Sequence, residues 1–148
     1  MDPGPLGASD PAVACDVMTA SGPPKKTYKI LHFMKRRPGM TVEEFRDYYE
    51  NVHAKLGEKY ARDITRYIRR YLDPLPHAET GPWDDPPFDV ILELWLDDEA
   101  AFTRLVTAMT TSIMPREIVE DEARLFDRGS FRIATVVECE SDLGRSDG

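Results

Sequence analysis

Residues 29–56 read KILHFMKRRPGMTVEEFRDYYENVHAKL, and this stretch decides the fold of the chain. It begins with an apolar run of strand length and continues through Arg-Pro-Gly at 37–39, which is a turn signal. Thr41 and Glu44 then form a capping box, in which each side chain binds a backbone N–H that a helix start leaves open. The stretch is therefore predicted to form a strand, a tight turn and an amphipathic helix.

The helix contains an apolar stripe at helical spacing, made of Phe45, Tyr49, Val52, Leu56 and Tyr60. His53 lies at the margin of this stripe. It is either a histidine near a helix C-terminus, favoured by the helix dipole and packed against Tyr49, or a catalytic residue that turns towards a cavity.

Three more strands are predicted, at 64–72, 88–96 and 131–138, from β-branched and aromatic content and from alternation. Residues 97–99 begin a second helix, Pro115 opens a short third helix, and residues 127–130 form a turn before the last strand. The loop at 75–87 contains four prolines. It is either a lid whose apolar contact is Trp83 or a plain connector.

This order of elements predicts an α+β, ferredoxin-like fold with the split βαβ arrangement, in which a four-stranded antiparallel sheet has helices on one face. The other face would carry Ile91 and Trp95, together with Ile30 and Met34. An apolar area of this size is usually buried against a partner. A homodimer that packs through its sheet faces about a two-fold axis is therefore predicted.

The length of the chain, 148 residues, fits one domain. The net charge of -8 argues against nucleic-acid partners and against an anionic membrane surface. No apolar run approaches the ~18 residues of a membrane helix. Residues 1–26, rich in Pro, Gly, Ala and Ser, are predicted to be a disordered leader and residues 141–148 a disordered tail, which leaves 27–140 as the domain.

The two cysteines, Cys15 and Cys139, show no disulfide framework and no zinc-type spacing. They favour reduced thiols and a cytoplasmic location. The sequence also contains no P-loop, CxxC, HExxH or GxSxG motif, so no cofactor and no metal are predicted.

Three segments carry a family likeness: residues 29–56, VILELWLD at 90–97 and DEARLFD at 121–127. Over about residues 28–138 the chain resembles EthD-domain proteins, which belong to the dimeric α/β-barrel superfamily. The resemblance implies that fold and draws attention to His53, which lies in the family's V-H-x-x-L motif. It leaves the reaction open, because such proteins include dehydratases, cyclases, lactone isomerases, cofactor-free monooxygenases and an accessory protein of ether degradation.

Acid/base catalysis by histidine is the chemistry that the candidate residues favour. By parity, His32 is predicted to share an apolar sheet face with Glu93 and Asp89, away from the helices. A carboxylate there could orient the imidazole or tune its pKa. His53, His32, Glu93 and Asp89 are thus the catalytic candidates. The alternative is that Glu93 or Asp89 pairs with an arginine of the second strand or fixes a dimer interface.

An apolar cavity for a flat or hydrophobic molecule is predicted from six side chains, Trp95, Tyr67, Tyr71, Ile91, Met34 and Trp83. An ordinary core or interface is the alternative. His77, in the proline-rich loop, is predicted to be solvated.

The predicted function is that of a cofactor-independent lyase or isomerase, of the dehydratase or cyclase type. A histidine would remove a proton next to a carbonyl of an aromatic or polyketide-like substrate, before loss of water or ring closure. The alternatives are a non-catalytic ligand-binding or accessory protein and a cofactor-free monooxygenase.

Overall fold

The computed structural model describes residues 27–145. Residues 28–135 form one compact unit, and Thr27 with residues 136–145 belongs to a second. The predicted leader at 1–26, including Cys15, lies outside the described residues, as do residues 146–148. None of the helices at 27–145 has the length and apolar character needed to cross a membrane.

Cys139, in the second unit, is disulfide-bonded. The expectation of reduced thiols is therefore wrong for this residue, because the position of a cysteine in a sequence does not reveal its surroundings in the folded chain. The cytoplasmic location stays a prediction and loses this support.

Four strands and three helices make up the compact unit. The strands are β1 (Lys29–Arg36), β2 (Ile64–Tyr71), β3 (Val90–Leu96) and β4 (Phe126–Thr135). Helix α1 runs through Val42–Tyr48, a π-helical turn at Tyr49–His53, and Ala54–Lys59; α2 is Glu99–Thr111 and α3 is Arg116–Leu125. The strands form one antiparallel sheet in the order β2-β3-β1-β4. This confirms the predicted α+β, ferredoxin-like fold with a four-stranded open sheet.

The start of α1 follows the sequence signals. Gly39 has a φ of 83°, which favours glycine, and Met40 N donates to Arg37 O at 3.2 Å to close the turn. Thr41 Oγ1 accepts from Glu44 N and Glu44 Oε2 accepts from Thr41 N, both at 3.1 Å. The predicted capping box is confirmed.

The π-helical turn changes which residues of α1 face the sheet. Phe45 and Tyr49 are buried as predicted, but Val52 is 43 % exposed and His53 only 6 %. A π-helical turn holds more residues than an α-helical one, so it rotates the following side chains relative to the regular spacing. The predicted place of Val52 in the apolar stripe is therefore wrong, and His53 points inward.

The side chains of β1 face the opposite sides of the sheet from those predicted. Ile30 and Met34 are buried at 2 % exposure, and His32 shares their parity and pairs with Leu92. These side chains face the helices. Glu93 pairs with Leu31 in the ladder and lies on the open face. The prediction failed because both parities of β1 carry large apolar side chains, so alternation alone does not say which face is buried.

The open face of the sheet is the one without helices. Leu31, Phe33, Ile91 and Trp95 are half-buried there. The Trp95 ring has Lys29 Nζ 4.1 Å from its centroid and Arg66 Cζ 4.4 Å away. Ile91 and Trp95 thus lie where the sequence predicted.

The predicted turn at 127–130 is part of β4, which begins at Phe126. The register with β1 shifts between Phe33 and Lys35. There Lys35 N donates to Ser130 Oγ at 2.9 Å, which satisfies a backbone donor at the irregularity. The predicted turn residues therefore lie in an irregular part of the strand instead of preceding it, and the prediction was wrong.

Candidate functional site

A cavity of about 420 Å³ lies within the compact unit, with a lining drawn from all four strands and all three helices. Its wall is mainly apolar and includes Met34, Leu92, Leu94, Leu105 and Met109. The titratable side chains in the lining include His32, His53, Tyr49, Tyr67, Glu122 and Arg128. A mostly apolar cavity with a few converging polar groups is the usual form of a small-molecule site.

The central polar contact joins α1 to α3. His53 Nδ1 lies 2.8 Å from Asp121 Oδ2, and both side chains are more than nine-tenths buried. Tyr48 donates its hydroxyl to the other carboxylate oxygen, Asp121 Oδ1, at 2.5 Å. Asp121 is therefore held from two sides, and it holds the His53 ring in turn.

The contacts determine which nitrogen of His53 carries the proton. Burial raises the pKa of Asp121, but hydrogen bonds from Tyr48 and His53 outweigh it and leave that pKa below its ordinary value. The ionised carboxylate only accepts, so Nδ1 must donate to it. Burial lowers the pKa of His53, and Asp121 offsets part of this. The ring is consequently neutral at pH 7, with a lone pair on Nε2.

A chain of edge-to-face rings links the two histidines of the cavity. The ring of His32 meets that of Phe131 at 4.8 Å between centroids, Phe131 meets Phe126 at 5.4 Å, and Phe126 meets His53 at 5.4 Å. The ring of Tyr49 packs on that of His53 with 5.3 Å between centroids, which is the contact that the non-catalytic alternative for His53 predicted. Burial and the neighbouring His53 lower the pKa of His32 to about 4, so His32 is also neutral at pH 7.

Glu122 is the second carboxylate at the cavity. It is 5 % exposed, and its Oε1 has no hydrogen-bond partner among the described residues. Arg128 Nε lies 3.7 Å from this oxygen, beyond hydrogen-bond range. Burial raises the pKa of Glu122 to about 7, against the opposing charge of Arg128 and with a smaller contribution from Asp121 in the same direction as burial.

A glycine lets the cavity wall close under α1. Tyr67 Oη would lie 2.9 Å from a Cβ placed on Gly57, so any other residue there would force the Tyr67 hydroxyl to shift. Tyr67 Oη in turn lies 3.4 Å from Tyr49 Oη. Burial raises the pKa of both phenols, so both stay protonated.

Among residues 27–145, no group of three or more His, Cys, Asp or Glu side chains is placed to hold a metal ion.

A family model described as the EthD domain matches residues 37–129, which is more than half of the chain. The chain belongs to the EthD-domain family. The matched segment contains His53, Asp121 and Glu122, so the site lies within the EthD domain. No curated protein matches the sequence.

Within the EthD domain, the predicted residues separate into two groups. The cavity brings together His53, His32, Tyr67 and Met34. The other predicted residues lie elsewhere. Ile91 and Trp95 are on the open face, and Trp83 is 48 % exposed in the proline-rich loop. Tyr71 packs against Phe45 and Tyr49, and its hydroxyl donates to Glu50 at 2.6 Å.

The two predicted carboxylates form ion pairs instead of facing a histidine. Glu93 Oε2 lies 2.6 Å from Arg70 Nη2 on β2, which is the alternative that the sequence left open. Asp89 pairs with Arg36, whose backbone N donates to Asp89 Oδ2 at 2.8 Å. Their predicted contact with His32 is wrong, because His32 faces the opposite side of the sheet.

The rim of the cavity is formed by the α2–α3 connection rather than by the proline-rich loop. Ile113 and Met114 line the cavity and are 87 % and 43 % exposed. The proline-rich loop is tied to β1, since Lys35 Nζ donates to Asp85 Oδ1 at 2.6 Å and to Pro86 O at 2.7 Å. His77 is exposed in this loop, as predicted.

Sequence reasoning missed Asp121 and Glu122 as site residues. The signal was available, since both belong to the DEARLFD segment that carries the family likeness. Helix α3 presents Ile118, Asp121, Glu122 and Leu125 as its buried face. Two adjacent carboxylates on the buried face of a helix require polar or charged partners. This requirement indicates a partner such as a histidine on a neighbouring element.

Proposed function

We propose that this protein is an acid/base enzyme that removes a proton from the carbon next to a carbonyl group, in a lyase or isomerase reaction. The contact between His53 Nδ1 and Asp121 Oδ2 at 2.8 Å carries the proposal. It leaves Nε2 of a neutral imidazole as the base, in a cavity that His53 lines. Asp121 is the positioning residue, because it fixes the tautomer and the ring plane.

The cavity supports a hydrophobic or aromatic carbonyl compound as the substrate class. Its wall is mainly apolar, and about 420 Å³ accommodates a molecule of two or three fused rings. His32 is neutral in the same cavity and the phenols of Tyr49 and Tyr67 stay protonated, so these groups could donate hydrogen bonds to a substrate oxygen. The reaction proposed is dehydration or cyclisation, and it requires no redox partner.

The wild-type protein tests this proposal with 1-tetralone, a bicyclic aromatic ketone with acidic hydrogens at C2. Incubation in heavy water should exchange these hydrogens for deuterium faster than buffer does, as read by mass spectrometry. A non-catalytic ligand-binding protein, which the apolar wall also fits, would bind 1-tetralone and leave the exchange rate at the buffer value. That result would reject the enzymatic proposal.

A homodimer through the open sheet faces is also proposed. The supporting observation is the half-buried apolar surface that includes Leu31, Phe33, Ile91 and Trp95, on the face without helices. A second copy would cover it with the same surface, as a two-fold interface requires. The cavity lies on the other side of the sheet, so the dimer would leave its rim open.

Sedimentation of the wild-type protein should give a dimer, and Ile91→Lys should give a folded monomer, because a buried lysine without a partner disfavours the interface. Leu75→Lys, at a loop residue that is 81 % exposed, is the control and should remain a dimer. A wild-type monomer, or an Ile91→Lys dimer of undiminished affinity, would contradict the proposed interface.

A further inference from the structure

Glu122 is a buried carboxyl group that the proposed proton removal does not use. Its Oε1 is buried and has no hydrogen-bond partner among the described residues, and its side chain lines the same cavity as His53. Leaving a buried polar atom without a hydrogen bond is unfavourable. Hydrogen bonds therefore do not hold this oxygen as a structural anion, and the Glu122 side chain, which lines the cavity, is available to a molecule bound there.

The charges around Glu122 suit a group that carries a proton and then loses it. Asp121 is the adjacent residue and is ionised, so a second negative charge beside it is unfavourable. Arg128 stands 3.7 Å from Oε1 and can stabilise the carboxylate once the proton has left. Burial and Asp121 raise the pKa of Glu122 to about 7, so both forms are accessible near neutral pH.

We infer that Glu122 is the general acid that protonates a leaving hydroxyl group, and that the substrate is a β-hydroxy carbonyl compound. This inference rests on the proposed function. His53 and Glu122 then act on the same substrate from one cavity, with Asp121 holding the base and Arg128 beside the acid.

The proposed step is the elimination of water from the β-hydroxy carbonyl compound. The C–H bond next to the carbonyl breaks, its proton goes to Nε2 of His53, and its electron pair forms the new C=C bond. The C–O bond at the β carbon breaks, and the hydroxyl leaves with the proton of Glu122 as water. His53 is then protonated and Glu122 ionised, and one proton passes from the imidazolium to the carboxylate through water to restore both groups.

Two probes separate the acid from the base. 3-Hydroxy-1-tetralone must lose water to become 1-naphthol, whereas deuterium exchange at C2 of 1-tetralone has no leaving group and needs only the base. Glu122→Gln keeps the size and the polarity of the side chain but cannot give up a proton. We expect it to slow 1-naphthol formation by about 100- to 10,000-fold while exchange stays within about threefold of wild type.

The control is Glu120→Gln, which removes a carboxylate from the exposed side of α3, where Glu120 pairs with Arg116. It should change neither rate. The wild-type protein gives a second test that needs no variant, since water loss should fall as pH rises through about 7, whereas exchange should persist.

Glu122 is not the acid if Glu122→Gln forms 1-naphthol at the wild-type rate, or if both of its rates fall equally. The failure of the proposed function is a different result: the wild-type protein would then exchange 1-tetralone no faster than buffer. That result would overturn the role of Glu122 as well.

Discussion

His53→Asn should slow the exchange of deuterium into 1-tetralone by about 100- to 10,000-fold, the range that a positioned general base contributes. Asparagine can still donate a hydrogen bond to Asp121 from its amide, so the buried carboxylate keeps a partner. It has no counterpart of Nε2. The variant therefore removes the base and retains the contact that joins α1 to α3, which lies at 2.8 Å in the wild-type protein.

His77→Ala is the control for this prediction, since His77 lies exposed in the proline-rich loop, and it should exchange at the wild-type rate. His32→Ala should bind 1-tetralone more weakly but retain most of the exchange. If His53→Asn exchanges as fast as wild type while His32→Ala does not, the base is His32 and the assignment of His53 is wrong.

Phe126→Ala should lower the free energy of unfolding by about 3–5 kcal/mol, the usual cost of deleting a buried aromatic ring. Phe126 is 3 % exposed. Its ring meets those of Phe45, Tyr49, His53 and Phe131 edge to face, with centroids 5.4 to 5.7 Å apart. Removing it leaves a void beside the His53 ring, so we expect exchange to fall together with stability.

Urea unfolding followed by circular dichroism measures this change. Leu75→Ala removes an apolar side chain that is 81 % exposed and should alter the free energy of unfolding by less than about 0.5 kcal/mol. A loss below about 1 kcal/mol for Phe126→Ala would mean that the ring cluster does not support the core in the way described.

The fold could be predicted because local signals and the order of elements agreed. The capping box at Thr41 and Glu44 fixed the start of α1, and the alternation at 88–96 identified β3. The irregularity in β4 could not be predicted, since Asp127 and Gly129 are typical turn residues. Their role depends on Lys35 N, which comes from a strand far away in the sequence.

The site was only half predictable for two physical reasons. The sheet face of His32 depends on which of two apolar parities in β1 meets the helices, and only packing decides that. The orientation of His53 depends on the π-helical turn at Tyr49–His53, and the residues of this segment, YENVH, do not predict such a turn. Once the turn brings His53 inward, Asp121 is its partner on α3, whereas Glu93 lies on the other side of the sheet.

The most direct measurement is a long-range 1H–15N correlation spectrum of the histidine side chains at neutral pH, with His53 assigned by comparison with His53→Asn. We predict a neutral His53 ring with the proton on Nδ1 and none on Nε2, and shifts in its signals when 1-tetralone is added. Asp121→Asn should lower the pKa of His53 further, because the charge and the hydrogen bond of Asp121 raise it. The role of His53 as the base of this cavity would be contradicted by a proton on Nε2 or by an imidazolium at neutral pH. It would also be contradicted if the His53 signals did not shift when 1-tetralone is added.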